Sequence, residues 1–333
     1  MSQPRRLRRT FGLQVADLVA GCSWLLLVGC TAQPTPPPAA GSSVAQSAPS
    51  SRSESQAVVD VVTTEEVTSA DGVVIRYEVH GAGEPALVFI HGWCCDRTFW
   101  QPQLDHFAKS RRVVAIDLGG HGASGLGRKV WSMAAFGRDV AAVVEKLQLQ
   151  SVILVGHSMG GPVMLEAAPL LKERLVGLVG VDTLTDPEEK YSPEQMAEYR
   201  LPFEQDFAKG MGAALRHEHD FFTARTNPAL IERIVAKMTA APPAVGVSAF
   251  QAMLDFANEF ERPRMKEIQV PLVCINAVRD PQKVAAGQKY APQFEVVALP
   301  DAGHFLMMEF PNEFNALLEK TLAGMNEPKD KIK

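Results

Sequence analysis

From residue 58 onward the apolar positions of the chain fall into short runs whose length and neighbours separate strands from helices. Residues 58–68 (VVDVVTTEEVT) and 72–81 (GVVIRYEVHG), separated by Ala70-Asp71-Gly72, predict a β-hairpin. Residues 86–90 (ALVFI), 112–116 (RVVAI) after its first arginine, and 152–155 are apolar, as strands covered on both faces are. Between them, residues 99–109 and 132–147 carry helical patterns. Residues 175–181 (LVGLVGV), 272–276 (LVCIN) and 294–299 (FEVVAL) read as the sixth, seventh and eighth strands, and a helix over about 311–323 ends the pattern. Buried strands alternating with helices predict an α/β fold with a mostly parallel eight-stranded sheet covered by helices.

One gap breaks the alternation. Residues 183–266 have no β-rich run, several helical patterns, and phenylalanines at 203, 207, 221, 222, 250, 256 and 260. A helical insertion between the sixth and seventh strands lies at the carboxyl edge of the sheet, where ligands bind, so it reads as a cap or lid. The same rings also serve simply to pack the insertion onto the core.

The candidate chemistry sits at strand ends. In LVGHSMGGPV, residues 154–163, Ser158 stands between a buried strand and the helix-prone stretch 162–171, with Gly156 before it and Gly160 and Gly161 after. A chain that passes from strand to helix within one residue turns very tightly, and small flanking residues permit it. That is the context that makes G-x-S-x-G a nucleophile elbow. Serine needs a base, the base needs a carboxylate to fix its tautomer, and the developing oxyanion needs N–H donors. His304 in DAGHF follows the eighth strand, and Asp280 in NAVRDP follows the seventh. The chain order Ser, Asp, His accompanies a nucleophile elbow. Asp280 is the favoured acid, since the 24 residues from it to His304 accommodate one helix and the eighth strand. Asp182, directly after the sixth strand, is the alternative.

These motifs together resemble the α/β-hydrolase fold family over residues 58–324. The matching stretches are His91-Gly92-Trp93, the DLGGHGAS run of residues 117–124, Gly156-His157-Ser158-Met159-Gly160, Asp280 and Gly303-His304-Phe305. The resemblance implies a cofactor-free serine hydrolase acting through an acyl-enzyme, with the main-chain N–H groups of Trp93 and Met159 forming the oxyanion hole. It makes a carboxylic-ester hydrolase with a small-molecule ester substrate the leading expectation. Perhydrolase or carbon–carbon hydrolase chemistry uses the same triad, and a ligand-binding protein of this fold can retain all three residues. His91, His121 and His157 read as structural members of their loops. His217, His219 and Asp220 (HEHD) do not suggest a shared ion, because helix neighbours two apart point to different faces, so neither a metal nor a cofactor is expected.

Composition and the N-terminus add a location. With 33 Lys and Arg against 38 Asp and Glu the formal charge is −5, and no basic block outside the N-terminus marks a nucleic-acid surface. Arg5, Arg6, Arg8 and Arg9 precede an apolar stretch that ends in LLLVGC, residues 25–30. Charge followed by apolar residues matches a secretory signal, and Gln14 and Asp17 leave it short of the roughly 20 apolar residues of a membrane span. Leu27-Val28-Gly29-Cys30 resembles the lipobox of bacterial lipoproteins, which implies a lipid on Cys30; the segment ending at Cys22 is a second candidate, and the arginine pairs resemble a twin-arginine signal. Thr31 after that cysteine, in place of an aspartate, favours an outer membrane where there is one. Removing residues 1–29 takes away four arginines and one aspartate and leaves −8, so the lipid rather than basic charge would hold the membrane. Residues 30–57, rich in proline, serine and alanine, read as a flexible tether. The expected organisation is thus a signal peptide over 1–29, a tether over 30–57, a core over 58–182 and 267–333, and a cap over 183–266. Cys94, Cys95 and Cys274 remain, an odd set with no disulfide framework; a vicinal Cys94–Cys95 disulfide is the alternative to two small loop residues.

Overall fold

The computed structural model describes residues 63–217 and 221–325. Eight strands, β1 (Thr63–Thr68), β2 (Val74–His80), β3 (Ala86–Ile90), β4 (Val113–Asp117), β5 (Val152–His157), β6 (Leu175–Val181), β7 (Leu272–Asn276) and β8 (Phe294–Ala298), form one sheet. Their order is β1-β2-β4-β3-β5-β6-β7-β8. The β1–β2 and β2–β4 pairs are antiparallel, and every later pair is parallel. Every residue of β3, β4 and β5 is buried, which is why those segments read as unbroken apolar runs.

The two-residue period of the strands divides the core. Val88, Ile90, Val114, Ile116 and Leu154 pack on one face, against α2 (Met133–Lys146) and α3 (Gly160–Leu171). Leu87, Phe89, Val113, Ala115 and Ile153 pack on the other, against α1 (Gln101–Phe107) and the last helix, Pro311–Met325. The helix predicted over 99–109 is two pieces, a 3₁₀ turn at Arg97–Trp100 followed by α1. Pro102 lies in the first turn of α1 and has no N–H to continue the preceding turn.

Between β6 and β7 the chain forms five helices, α4 (Pro193–Gln205), α5 (Phe207–His217), α6 (Pro228–Thr239), α7 (Pro243–Asp255) and α8 (Glu261–Glu267), with a π-helical turn at Phe256–Phe260 joining the last two. Ser192 and Gln195 cap the start of α4 reciprocally, satisfying two main-chain donors at once. This cap joins the apolar core on the α1 side through Phe203, Phe207, Met211, Ile234, Phe250 and Leu254. Its phenylalanines divide between the two roles read from the sequence. Phe203, Phe221 and Phe250 line the central cavity, Phe256 is buried in the core on the other face of the sheet, and Phe260 is 46% exposed.

The order of strands reverses beside β3, which lies between β4 and β5. Loops leaving the carboxyl ends of β3 and β5 diverge there and open a crevice, the usual ligand position in such sheets.

Candidate active site

The first residue of the site is set by backbone geometry. Ser158 directly follows β5 and holds φ at +51°, a left-handed conformation that serine rarely adopts and that costs about 1–3 kcal/mol. The turn is clamped from both sides. The Ser158 N–H donates to Val181 O at 3.0 Å, and its carbonyl accepts from Gly161 N–H at 2.9 Å and from Thr183 Oγ1 at 2.7 Å. Glycine is required on both flanks, because a Cβ at Gly156 would lie 2.3 Å from Gly160 O and one at Gly160 would lie 2.6 Å from Ile90 O.

His304 lies in the loop between β8 and the short helix α10 (Leu306–Glu309), buried beside His157 and Phe221. Its Nδ1 is 2.7 Å from Asp182 Oδ2. Asp182 follows β6 directly, with φ at +44°; its N–H donates to Ile275 O, and its Oδ1 accepts the Ala277 N–H at 3.0 Å. One carboxylate oxygen is thereby fixed by the end of β7 and the other is turned to the imidazole.

The imidazole of His304 is thus held by Asp182 and not by Asp280, the acid expected from the sequence. Asp280 is the N-cap of the helix α9 (Pro281–Gln288), where its Oδ1 accepts the Gln282 N–H at 2.8 Å. It is exposed on the cavity rim, while the His304 Nδ1 is bonded to Asp182. Three residues separate it from the end of β7, and the proline after it commits its side chain to starting a helix.

The two expected oxyanion donors lie on opposite sides of the crevice. Met159 precedes the first turn of α3, whose N–H groups have no intrahelical partner, and Trp93 follows β3 by three residues. Neither main-chain N–H donates to a protein acceptor among the described residues. The Trp93 side chain belongs to the cap. Its Nε1 donates to Gly246 O at 2.8 Å, and its ring packs edge-on against Phe203 and tilted against Phe250. A second tie joins the same loop to the cap, from Lys237 Nζ to Asp96 Oδ2 at 2.6 Å.

The other histidines hold loops. His91 donates from Nδ1 to Gly92 O and accepts the Leu118 N–H at Nε2, while burial pushes its pKa down to about 4. Burial likewise lowers His121, to about 3. His157, depressed by burial and by its neighbour His304, donates from Nε2 to the His304 carbonyl at 2.9 Å and fixes that loop. Neutral rings serve these places because a buried imidazolium would need a counter-charge. Cys94 and Cys95 are free and buried, with thiols pushed well up by burial, so no vicinal disulfide is present.

Two contributors escaped the sequence reading. Thr183 clamps the elbow as described, and Glu309 braces the loop of His304. Glu309 Oε1 accepts the Phe305 N–H at 3.1 Å, and Oε2 accepts the Gly303 N–H at 3.3 Å together with the Thr226 hydroxyl of the cap side. The N–H groups on either side of His304 thus share one carboxylate. The only signal for it in the sequence is an acid set between Met308 and Phe310 in an otherwise apolar stretch.

Ser158, Met159, Asp182, His304 and Trp93 all line one cavity of about 1020 Å³ between sheet and cap. Among the described residues no group of three or more His, Cys, Asp or Glu is placed to hold a metal ion, and no helix is long and apolar enough to cross a membrane. Cys30, the signal and the tether, together with His219 and Asp220, lie outside the described residues.

Comparison with known proteins agrees with this architecture. A family model described as alpha/beta hydrolase family matches residues 87–317. A dihydrolipoyllysine-residue acetyltransferase component of an acetoin cleaving system from Cupriavidus necator is 30% identical over 279 residues, covering 80% of this chain and 71% of that protein. The 3-oxoadipate enol-lactonase 2 of Acinetobacter baylyi is 25% identical over 263 residues, 78% of this chain and 96% of that one. Among solved structures, a thermophilic esterase from Thermogutta terrifontis superposes with a TM-score of 0.69 at 27% identity, covering 80% of this chain and all of that one. With its matched residues running from β3 into the last helix, the chain belongs to the alpha/beta hydrolase family.

Proposed function

We propose that this hydrolase cleaves carboxylic esters through a Ser158–His304–Asp182 triad. The observation that carries the reading is the pairing of a strained serine at the elbow with a histidine whose Nδ1 is held by Asp182 at 2.7 Å, in one cavity between sheet and cap. With Nδ1–H committed to the carboxylate, Nε2 of His304 is the basic nitrogen. It takes the proton of Ser158 Oγ as the oxygen attacks the ester carbonyl, and it returns that proton to the departing alkoxide. The N–H groups of Trp93 and Met159 receive the oxyanion. Water, activated by the same nitrogen, then attacks the acyl-enzyme and restores the serine. The esterase and the enol-lactonase among its relatives are named for ester and lactone chemistry, and a lactone is a cyclic ester.

Ser158→Ala is expected to lower p-nitrophenyl acetate hydrolysis by about 10⁴-fold or more and to abolish labelling by a fluorophosphonate, with an unchanged circular-dichroism spectrum. Full activity in that variant would overturn the assignment. Adding hydrogen peroxide to the assay distinguishes perhydrolase chemistry, which appears as peracid formed at the expense of hydrolysis.

We also propose that the chain is exported and held at a bacterial envelope membrane by lipid on Cys30. The support is the order of arginines, apolar run, LVGC and tether at the N-terminus. Cys30→Ser is expected to move the protein from the membrane to the soluble fraction. Unchanged fractionation, with no lipid mass on the wild-type protein, rejects the idea.

A further inference from the structure

The walls of the cavity differ in chemistry from one set of elements to another. Helices α4 to α7 supply Phe203, Met211, Leu215, Met238, Phe250 and Leu254, an apolar lining. The loop after β6, together with α8 and α9, supplies Asp186, Glu189, Glu261, Asp280 and Tyr191, with Lys283 the one Lys or Arg among the described residues that line the cavity. Lys283 Nζ lies 3.4 Å from Asp186 Oδ2, so the one ammonium group is already paired.

Glu261 is the unusual member. It opens α8, is 8% exposed, lines the cavity, and its Oε1 has no hydrogen-bond partner among the described residues. Burying a carboxyl without a partner is costly, and folded proteins seldom leave one so. Asp186 and Glu189 oppose its ionisation, and the Cys274 thiol on β7 is coupled to it. Arg262 favours ionisation, but its guanidinium is committed to the carbonyls of Pro187 and Asn258. Burial is the dominant influence and pushes the Glu261 carboxyl up to about 8.

We infer that this end of the cavity receives an alkylammonium group, so that the preferred substrates are esters bearing a positive charge on the part remote from the scissile bond. A positive charge beside Glu261 supplies the counter-charge that an ionised, buried carboxylate there lacks and offsets the mutual repulsion of the carboxylates, and the ring of Tyr191 adds an attractive π system. A neutral hydroxyl would satisfy the oxygen but leave the repulsion in place. The inference rests on the ester-hydrolase reading for the word ester, and on the cavity alone for the cation.

Proton linkage gives it a signature. In the empty cavity Glu261 is protonated below a pH of about 8 and ionised above it. A bound cation favours the ionised form, so binding releases a proton at neutral pH, and affinity rises as pH rises through about 8.

The test uses the full chain carrying Ser158→Ala, so that binding is measured without turnover. Calorimetric titration with (2-hydroxyethyl)trimethylammonium is expected to show binding at least tenfold tighter at pH 9 than at pH 6.5, with proton uptake by buffer at neutral pH. The uncharged isostere 3,3-dimethylbutan-1-ol is expected to bind at least tenfold more weakly than the cation at pH 9. Adding Glu261→Gln should weaken cation binding about tenfold at pH 9 and remove its pH dependence. If that variant does not fold, Asp186→Asn and Glu189→Gln, which alter more exposed carboxylates, should each weaken binding two- to threefold. Equal binding of cation and isostere, or binding indifferent to these substitutions, overturns the inference. In wild-type enzyme, hydrolysis of neutral and cationic esters at equal kcat/KM sinks the charge preference alone; ammonium binding without hydrolysis of any ester sinks the esterase reading alone.

Discussion

The ends of β6 and β7 are neighbours in the sheet, and each delivers an aspartate to the same cavity, yet the two carboxylates are used differently. Asp182 leaves β6 with no intervening residue, in a left-handed conformation, and is gripped by the main chain of β7 while its other oxygen holds His304. Asp280 is reached only after a three-residue excursion and spends its carboxylate on starting α9. The difference lies in what the backbone does between strand and side chain. A residue that turns at once at a strand end is aimed by the sheet itself and inherits the rigidity of its neighbours. A residue on a longer loop goes where the next helix needs it.

The sharpest way to break this comparison is to neutralise each carboxylate. Asparagine tolerates positive φ about as well as aspartate, so Asp182→Asn should fold normally. It presents an amide to His304, disfavours the productive tautomer, and is expected to lower kcat by roughly 10³ to 10⁴. Asp280→Asn, at an exposed cap that asparagine also fills, is expected to stay within about threefold of wild type. Steady-state kinetics of the two variants, each with a native circular-dichroism spectrum, decide the matter. The opposite ranking would restore Asp280.

Most of the architecture was legible beforehand, for reasons the same pair illustrates. Three strand spans, 86–90, 175–181 and 272–276, coincide with β3, β6 and β7 because buried parallel strands announce themselves as short apolar runs between breakers. Ser158 was legible because its turn needs glycines at fixed offsets, which leave a mark in the sequence. The carboxylate that holds His304 left no such mark. Both aspartates follow apolar runs, both stand near the cavity, and the 24 residues from Asp280 to His304 suited a triad, while Pro281 after it marked the start of a helix. What separates them is a φ of +44° and a bond to the Ala277 N–H, and neither is written in local composition. Glu309 was hidden for a related reason: its partners are main-chain N–H groups of any residue type. The carboxylates around Glu261 were equally invisible, because they come from the loop after β6 and from α8, about 70 residues apart in the chain.

A milder perturbation asks how firmly β7 holds the loop of Asp182. Asn276, buried at the end of β7, accepts the Thr183 N–H at Oδ1 at 3.3 Å and donates from Nδ2 to the Thr183 carbonyl at 3.2 Å. The same Thr183 clamps the elbow through its hydroxyl. Asn276→Leu fills similar volume without either bond and strands two buried main-chain groups, at a cost of about 1–3 kcal/mol. We expect a lower melting temperature together with a decline in kcat of about tenfold and little change in KM, since orientation rather than binding is disturbed. Unchanged kcat in a destabilised Asn276→Leu protein would mean that Asp182 is positioned by its own turn and by Ala277 alone.

The smallest effect is predicted where the sequence placed the acid. Asp280→Ala removes the side-chain acceptor for the Gln282 N–H and leaves the first turn of α9 capped by water. Losing an N-cap of this kind costs about 1 kcal/mol, which for a domain of this size corresponds to roughly 2–4 °C in melting temperature. The rate should hardly change, because Pro281 already fixes the backbone at the helix start and the imidazole takes its bond from Asp182. Asp280→Gly separates the two sources of that cost, since glycine at an N-cap loses only a few tenths of a kcal/mol relative to aspartate. A melting temperature close to wild type in Asp280→Gly, with kcat equal in all three proteins, would confine Asp280 to helix capping; a rate loss shared by both variants and absent from Asp280→Asn would instead tie the carboxylate cap of α9 to the geometry of the cavity rim.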